Sequence, residues 1–349
     1  MRWSLLVVAL AGCSFNGATV TDGGGNGSGD ARAADAMPLT GTGRKITFLD
    51  QASAAPLINF PVLIRLDAQS IDYAMITNPR TELAFADPDG TPLPFDIDTW
   101  NPGGESDIWV QVPQIDATNT DFITLHFGPG ALGLYNPTLA WSSYAYVVHL
   151  GSQLGSALGA VAQANPMNVG TGPGIIGEAS TFAGTGNETI DLGGDTGPLF
   201  NVWSAFTLEL WVYPDYTGTP SGEPTIFAKG NVLQNGRLIT TGTQFQLDVV
   251  FQSGTKYLHA PATWRHWNQF VYTYDGAVFA LYHDGAQVGN AAVTGTLPNS
   301  GNAIVLGGSS PITGAIDELH VAHAGRNADW IRAEYLAATH QFTTITTIP

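Results

Sequence analysis

The chain carries one cysteine, Cys13, among 349 residues. No disulfide can therefore form within a monomer, and the chain is not read as a thiol enzyme. Positive charge is scarce too: 12 Lys and Arg stand against 29 Asp and Glu, a formal net charge of −17. Such acidity excludes electrostatic binding of nucleic acid or of anionic lipid. Charged residues of both signs make up only 12% of the sequence, roughly half the usual share. Long apolar runs are also lacking at the N-terminus, where Trp3 to Leu10 is too short to cross a bilayer as a helix.

What fills the chain instead is glycine, 42 residues of it, with many small polar side chains. A turn-rich surface of this kind points to an all-β protein outside the cytoplasm. At the start, Arg2 precedes the apolar run, and Leu10-Ala11-Gly12-Cys13 follows it. This ending resembles the lipobox of bacterial lipoproteins, which implies a signal peptide over residues 1–12 and acylation of Cys13 as the lipid attachment residue. Ser14 is not the Asp associated with inner-membrane retention, so the resemblance places the anchor in the outer membrane, facing periplasm or cell surface. Cleavage would remove Arg2 and no acid. Membrane contact is then expected through the lipid alone. Residues 13–43, centred on Gly23-Gly24-Gly25-Asn26-Gly27, lack large apolar side chains and read as a flexible tether.

Residues 44–137 alternate apolar and polar over short stretches such as Val62 to Leu66, Phe95 to Ile97, Ile108 to Val112 and Ile123 to Phe127. Turn signals, Asp87-Pro88-Asp89-Gly90 and Asn101-Pro102-Gly103-Gly104, separate them. The spacing predicts a small antiparallel β-sandwich. Phe60-Pro61-Val62, then Asp87-x-Asp89-Gly90-Thr91-x-Leu93-Pro94, then Trp109-Val110-x-Val112-Pro113 resembles a bacterial β-domain family of unknown function. That family often precedes a LamG-like domain.

The second half, residues 140–340, opens near Tyr144 to Leu150 and closes in a meander. Asp275-Gly276 and Asp284-Gly285 predict two-residue hairpin turns, whose central positions need positive φ, with one strand from Ala277 to His283 between them. Phe206-Thr207-x-Glu209-x-Trp211-Val212, the Trp267 to Gly285 meander and Gly314-x-Ile316-Asp317-Glu318 resemble, in order, the LamG-like, concanavalin A-like jelly roll. The expected fold is thus all-β: two β-sandwich domains, the second a jelly roll. Asn327 is placed to cap a short closing helix that packs Trp330 and Tyr335 onto the sandwich.

Gly172-x-Gly174-x-x-Gly177 has the dinucleotide spacing, but the sequence reads as neither a strand before it nor a helix after it, and such a site requires both. Asp96 and Asp98 share one strand face but read as solvated acids beside a turn. His320 and His323 fall on opposite faces and do not pair on a metal. The jelly-roll resemblance implies calcium as the candidate cofactor, with Asp317 the candidate ligand; the loop Gly151 to Ala157 supplies no acid partner, and the competing reading is that Asp317 organises the loop beside its strand. Strand alternation puts Trp211 and Tyr213 on one face and Tyr272 within the meander. These three rings are the candidate ligand-stacking residues, the competing reading being that they seal the sheets.

The expected function is non-catalytic binding of a glycan, or of an envelope or extracellular protein, through the jelly roll of a cell-envelope lipoprotein. The alternatives are a polysaccharide-active enzyme or accessory subunit and a passive structural component. No catalytic constellation is found in the sequence, and an enzyme is not expected.

Overall fold

The computed structural model describes residues 42–49, 54–159, 165–193, 203–220, 222–230, 233–239, 244–298 and 302–348. Cys13, the signal peptide and most of the tether lie outside the described residues. The protein is all-β, as expected, with a short C-terminal helix, Ala328–Ala338.

The first half folds as one curled sheet. Its strand order is Leu57–Leu66, Ser106–Ile115, Pro92–Thr99, Leu83–Ala86, Phe122–Phe127, Thr42–Phe48 and Thr343–Thr347, with Leu134–Tyr135 alongside Pro92–Thr99. The two layers of the expected sandwich are therefore one continuous hydrogen-bonded path. Apolar alternation explains the curl: Phe60, Val62, Ile64, Phe95, Val110, Leu125 and Phe127 are at most 1% exposed and meet inside it. The last strand comes from the far end of the chain, pairing Ile345 with Ile46.

The second half stacks two antiparallel sheets. The larger runs Gly170–Pro173, Glu178–Ala183, Thr313–Ala322, Phe206–Pro214, Asn268–Tyr274, Val278–His283 and Ala286–Ala292, with Tyr146–Val148 beside Thr313–Ala322. The smaller runs Gly254–Pro261, Gln244–Phe251, Leu233–Ile239, Thr225–Lys229, Ile304–Gly307, Thr189–Asp191 and Asn165–Met167. Phe206, Leu208, Leu210 and Val212 face Phe245, Leu247, Val249 and Phe251 across the core. Phe245 and Phe270 stack at 4.4 Å between ring centroids.

The two expected hairpins differ. Asp284 and Gly285 have φ of 49° and 75° and close a two-residue turn with His283 opposite Ala286. At the other, Tyr274 pairs with Phe279, so the strand begins at Val278 and the loop is longer. Asp275 accepts from the N–H of Ala277 and Val278, and only Gly276 has positive φ. The carboxylate there replaces the backbone twist that a two-residue turn would need.

All the described residues belong to one compact unit. The outer face of the larger sheet does not meet water along its whole length, because the curled sheet and the helix cover part of it. One apolar cluster contains Phe60, Trp109 and Val110 from the first half together with Trp211, Ala322, Trp330 and Ala333 from the second. As expected, the Asn327 side chain caps the helix by accepting from Trp330 N–H at 2.9 Å. Trp330, however, packs edge-on against Phe60, in the first half, at 4.8 Å.

Candidate functional site

The uncovered end of the larger sheet's outer face forms a trough of about 580 Å³. Its register comes from three strand pairings: Thr181 opposite Ala315, Ala315 opposite Tyr213, and Trp211 opposite Gln269, which carries Trp267 to a place beside Tyr213. The floor is small, Gly314 and Ala315, and one wall is aromatic, Tyr213 and Trp267, with centroids 5.6 Å apart and planes at 58°. Both rings are half-buried. Gly314 has φ of 147°, and a Cβ there would stand 2.0 Å from the Tyr213 carbonyl oxygen, so only glycine lets the strands close at this point. Asp215 sits at the rim, paired with the exposed Arg265 at 3.0 Å. Tyr216 accepts from Thr313 N–H at 2.9 Å and contacts the Trp264 ring edge-on, which supports the rim from behind.

Of the expected ligand-stacking residues, this trough contains Tyr213. Trp211 is 2% exposed and stacks on Tyr335 of the helix. Tyr272 is fully buried between the sheets, its hydroxyl donating to Leu258 O at 3.1 Å. Neither ring can meet a ligand, because the sheet's two faces are covered at those rows. Trp267 takes the place that Trp211 was expected to hold. Sequence could have found it only after the hairpin register was known, since Trp267 precedes its strand.

Asp317 also has a different role from the calcium ligand the resemblance implies. It is fully buried, and its Oδ2 accepts from the N–H groups of Ile175 at 2.9 Å and Ile176 at 3.2 Å, while Oδ1 accepts from Glu318 N–H. Calcium takes six to eight oxygen ligands. A carboxylate already engaged by three N–H donors does not fit it. Asp317 instead pins the loop 174–177, with Asp107 holding Gly177 N–H at 3.1 Å from the other side. This explains the glycine-rich motif: a Cβ on Gly174 would lie 2.3 Å from Asp317 Oδ2.

Behind the trough, where the halves meet, lies a buried set of acids and imidazoles. Asp96 and Asp98 are 4% and 7% exposed, not solvated as their turn-side position suggested. His149 Nε2 reaches Asp96 Oδ2 at 3.1 Å, and its Nδ1 reaches Glu318 at 3.0 Å and Asp98 at 3.5 Å. Trp141 donates to the same Asp96 oxygen at 3.0 Å. Burial alone would lower the His149 pKa, but the carboxylates of Glu318, Asp98 and Asp96 outweigh it and hold the ring protonated. His320 is likewise pushed up to about 10 against burial by Glu209 and Glu318. Glu318 moves the other way, held ionised by the two imidazoles in spite of burial.

A β-bulge makes this clustering possible. Trp211 pairs with Asp317 but Glu209 pairs with His320, so the Thr313–Ala322 strand carries one extra residue, and Glu318 has φ of 45°. Asp317 and His320 then both face the first half, while Leu319 and Val321 stay in the sandwich core. His323 stacks on Trp203, away from this set. Two triads among the described residues could hold a metal: His149, Glu318 and His320, and Glu209, His320 and Glu334.

Residues 184–332 match the family model Laminin_G_3, described as the concanavalin A-like lectin/glucanases superfamily. No curated protein is significantly similar in sequence to the chain. Among solved structures, the chain is similar to the binding domain of botulinum neurotoxin serotype G, with 14% identity and TM-score 0.46 over 55% of this chain and 50% of that one. It is similar to the binding domain of botulinum neurotoxin DC in complex with SialylT, with 11% identity and TM-score 0.48 over 56% and 52%. Domain 4 of AbnA, an extracellular arabinanase from Geobacillus stearothermophilus, in complex with arabinotriose, gives 14% identity and TM-score 0.42 over 54% and 97%. The chain spans about half the length of the neurotoxin binding domains it matches. At these identities and TM-scores the likeness carries nothing about ligands. Stacked antiparallel sheets and the family match agree that the second half of the chain contains a concanavalin A-like jelly-roll domain.

Proposed function

We propose that the protein binds a glycan, without cleaving it, in the trough bounded by Tyr213 and Trp267. The observation that carries this reading is the pair of half-buried rings beside a floor of Gly314 and Ala315. Sugar C–H faces stack on such rings, and Asp215, Thr181 and Thr313 stand close enough in the lining to meet hydroxyls. A glycosidase needs two carboxyls flanking the bond to be broken. Asp215 is the one acid in this lining, and it is engaged by Arg265. The acids that the fold does bring together, Asp96, Asp98 and Glu318, are at most 7% exposed. That arrangement supports recognition over hydrolysis.

We place this binding module on a lipid anchor at Cys13, from the lipobox-like Leu10 to Cys13 and the acidic, glycine-rich chain that follows. No described helix is long and apolar enough to cross a membrane. Palmitate labelling that disappears in Cys13→Ala tests the anchor; labelling that persists refutes it.

The binding test is a glycan array probed with wild type, Tyr213→Ala and Trp267→Ala. Each ring is worth roughly 1 kcal/mol in such a contact, so a hit should weaken about fivefold to tenfold per substitution with unchanged thermal unfolding. An array without hits, or hits indifferent to both substitutions, overturns the reading.

A further inference from the structure

We propose that Glu209, His320 and Glu334 form a buried binding site for one divalent ion of the zinc class, which fastens the C-terminal helix to the jelly-roll sheet. The site is separate from the trough and does not depend on it.

The three residues come from three elements: Glu209 from Phe206–Pro214, His320 from Thr313–Ala322 and Glu334 from Ala328–Ala338. They are 3%, 3% and 4% exposed, and one donor atom of each lies within 4.8 Å of the others. Each side chain has one polar atom engaged and the other left over. Gln269 Nε2 donates to Glu209 Oε1 at 2.7 Å, its amide orientation fixed because its Oε1 accepts from Gly285 N–H. His320 Nε2 donates to Glu318 Oε2 at 2.6 Å. The Tyr144 hydroxyl donates to Glu334 Oε1, and its direction is set because the same oxygen accepts from Trp330 Nε1 at 3.1 Å. The atoms left over, Glu209 Oε2, His320 Nδ1 and Glu334 Oε2, are all buried without hydrogen-bond geometry to any partner; the one contact among them is the 3.5 Å ion pair of His320 Nδ1 with Glu209 Oε2, and Glu334 Oε2 has none. Buried polar atoms rarely stay unpaired, because each costs about 1–3 kcal/mol. Three of them belonging to one triad point to a shared occupant.

The surroundings match a metal site in two further respects. A ligating imidazole characteristically donates its other N–H to a carboxylate, which fixes the ring and makes it a better ligand; Glu318 does this for His320. Two ligands held about 2.1 Å from a tetrahedral ion stand about 3.4 Å apart, and Glu209 Oε2 lies 3.5 Å from His320 Nδ1. Charge agrees as well. Asp96, Asp98, Glu209, Asp317, Glu318 and Glu334 are buried in this region against the cations His149, His320 and the nearby Arg326, Asp107 being paired with Arg65, so acids remain in excess and a dication would offset them.

One imidazole nitrogen and two carboxylate oxygens suit zinc or a neighbouring transition ion. Calcium and magnesium prefer six or more oxygen ligands, whereas this triad offers an imidazole nitrogen and two carboxylates. In the alternative triad, His149, Glu318 and His320, the ring nitrogens of His149 are taken up by hydrogen bonds to Glu318 and Asp96 at 3.0–3.1 Å, and His320 Nε2 by its bond to Glu318, whereas His320 Nδ1 meets Glu209 Oε2 at 3.5 Å without hydrogen-bond geometry.

Because the site is closed, the ion must enter during folding. The test unfolds the full chain in denaturant with chelator and refolds it with ZnCl2, with CaCl2 or with neither. About one zinc per chain should survive desalting, calcium should not, and only zinc should raise the melting temperature. X-ray absorption at the zinc edge, which needs no variant, should show one imidazole and otherwise light-atom ligands. Glu209→Gln and Glu334→Gln should each weaken zinc binding about a hundredfold, and Gln269→Leu, which removes a supporting hydrogen bond, about tenfold to a hundredfold. Zinc retained by fewer than about one chain in ten overturns the proposal, as does sulfur in the absorption spectrum. Undiminished zinc in folded Glu334→Gln also overturns it.

Discussion

Trp211 and Tyr335 stack face to face, with centroids 5.9 Å apart and planes 9° from parallel. The strand ring and the helix ring together close the outer face of the jelly-roll sheet just beside the trough. Trp211→Ala is therefore expected to cost about 3–5 kcal/mol, as for other buried aromatic truncations. Urea unfolding would measure it. Glycan affinity of the folded fraction should stay within about twofold, in contrast to Trp267→Ala.

His149 bridges the two halves through Asp96 and Glu318. Replacing it with Ala leaves those carboxylates buried without their cation. Removing one partner of a buried pair costs about 3–5 kcal/mol. Equilibrium denaturation of His149→Ala should show that loss, and Asp96→Asn should recover part of it in the double variant, since one of the stranded charges is then gone.

Gly314 holds the trough floor flat against Tyr213. Gly314→Ala should destabilise the fold by about 1–3 kcal/mol through backbone strain and push Tyr213 away from Trp267. A shift in tryptophan fluorescence together with weaker glycan binding would show both effects. Unchanged affinity would mean that the floor does not shape the site.

Stability should be greatest in mild acid. Burial raises Asp107 to about 6, with Arg65 only partly opposing it. The folded state then holds a proton that the unfolded chain has lost, so this contribution is complete below about pH 4 and disappears as pH rises through 6, a change of about 2–3 kcal/mol. Glu188 has the opposite sign. Burial works to raise it, but the Thr185 hydroxyl and the N–H groups of Thr185 and Gly186 bring it down to about 2. Its contribution is present above about pH 4.5 and is lost as pH falls toward 2. Melting temperatures measured from pH 3 to 8 should peak near pH 4, and Asp107→Asn should flatten the alkaline side of that peak.

The strands, the Asp284-Gly285 turn and the helix cap were legible in the sequence because each depends on neighbours a few residues away, whereas at Asp275-Gly276 the loop is longer than the pair alone indicates. Alternation placed Phe206, Leu208, Leu210 and Val212 on one face, and Asp284-Gly285 had the positive φ its turn type demands. The same alternation put Trp211 and Tyr213 on the opposite face, yet it could not say which of them the helix would cover. Asp96 and Asp98 were seen to share a face, but their burial required knowing that His149, some fifty residues on, would meet them.

What the sequence determined by itself was local: strand period, the chemistry of a turn and of a helix cap, and an excess of acidic residues. Tertiary structure alone decided where the halves touch, because a bulge at Glu318, a returning strand at 343–347 and the docking of one helix depend on contacts between residues far apart in the chain. Those contacts selected which aromatic rings meet solvent and which acids lose it, and a linear pattern holds no record of either.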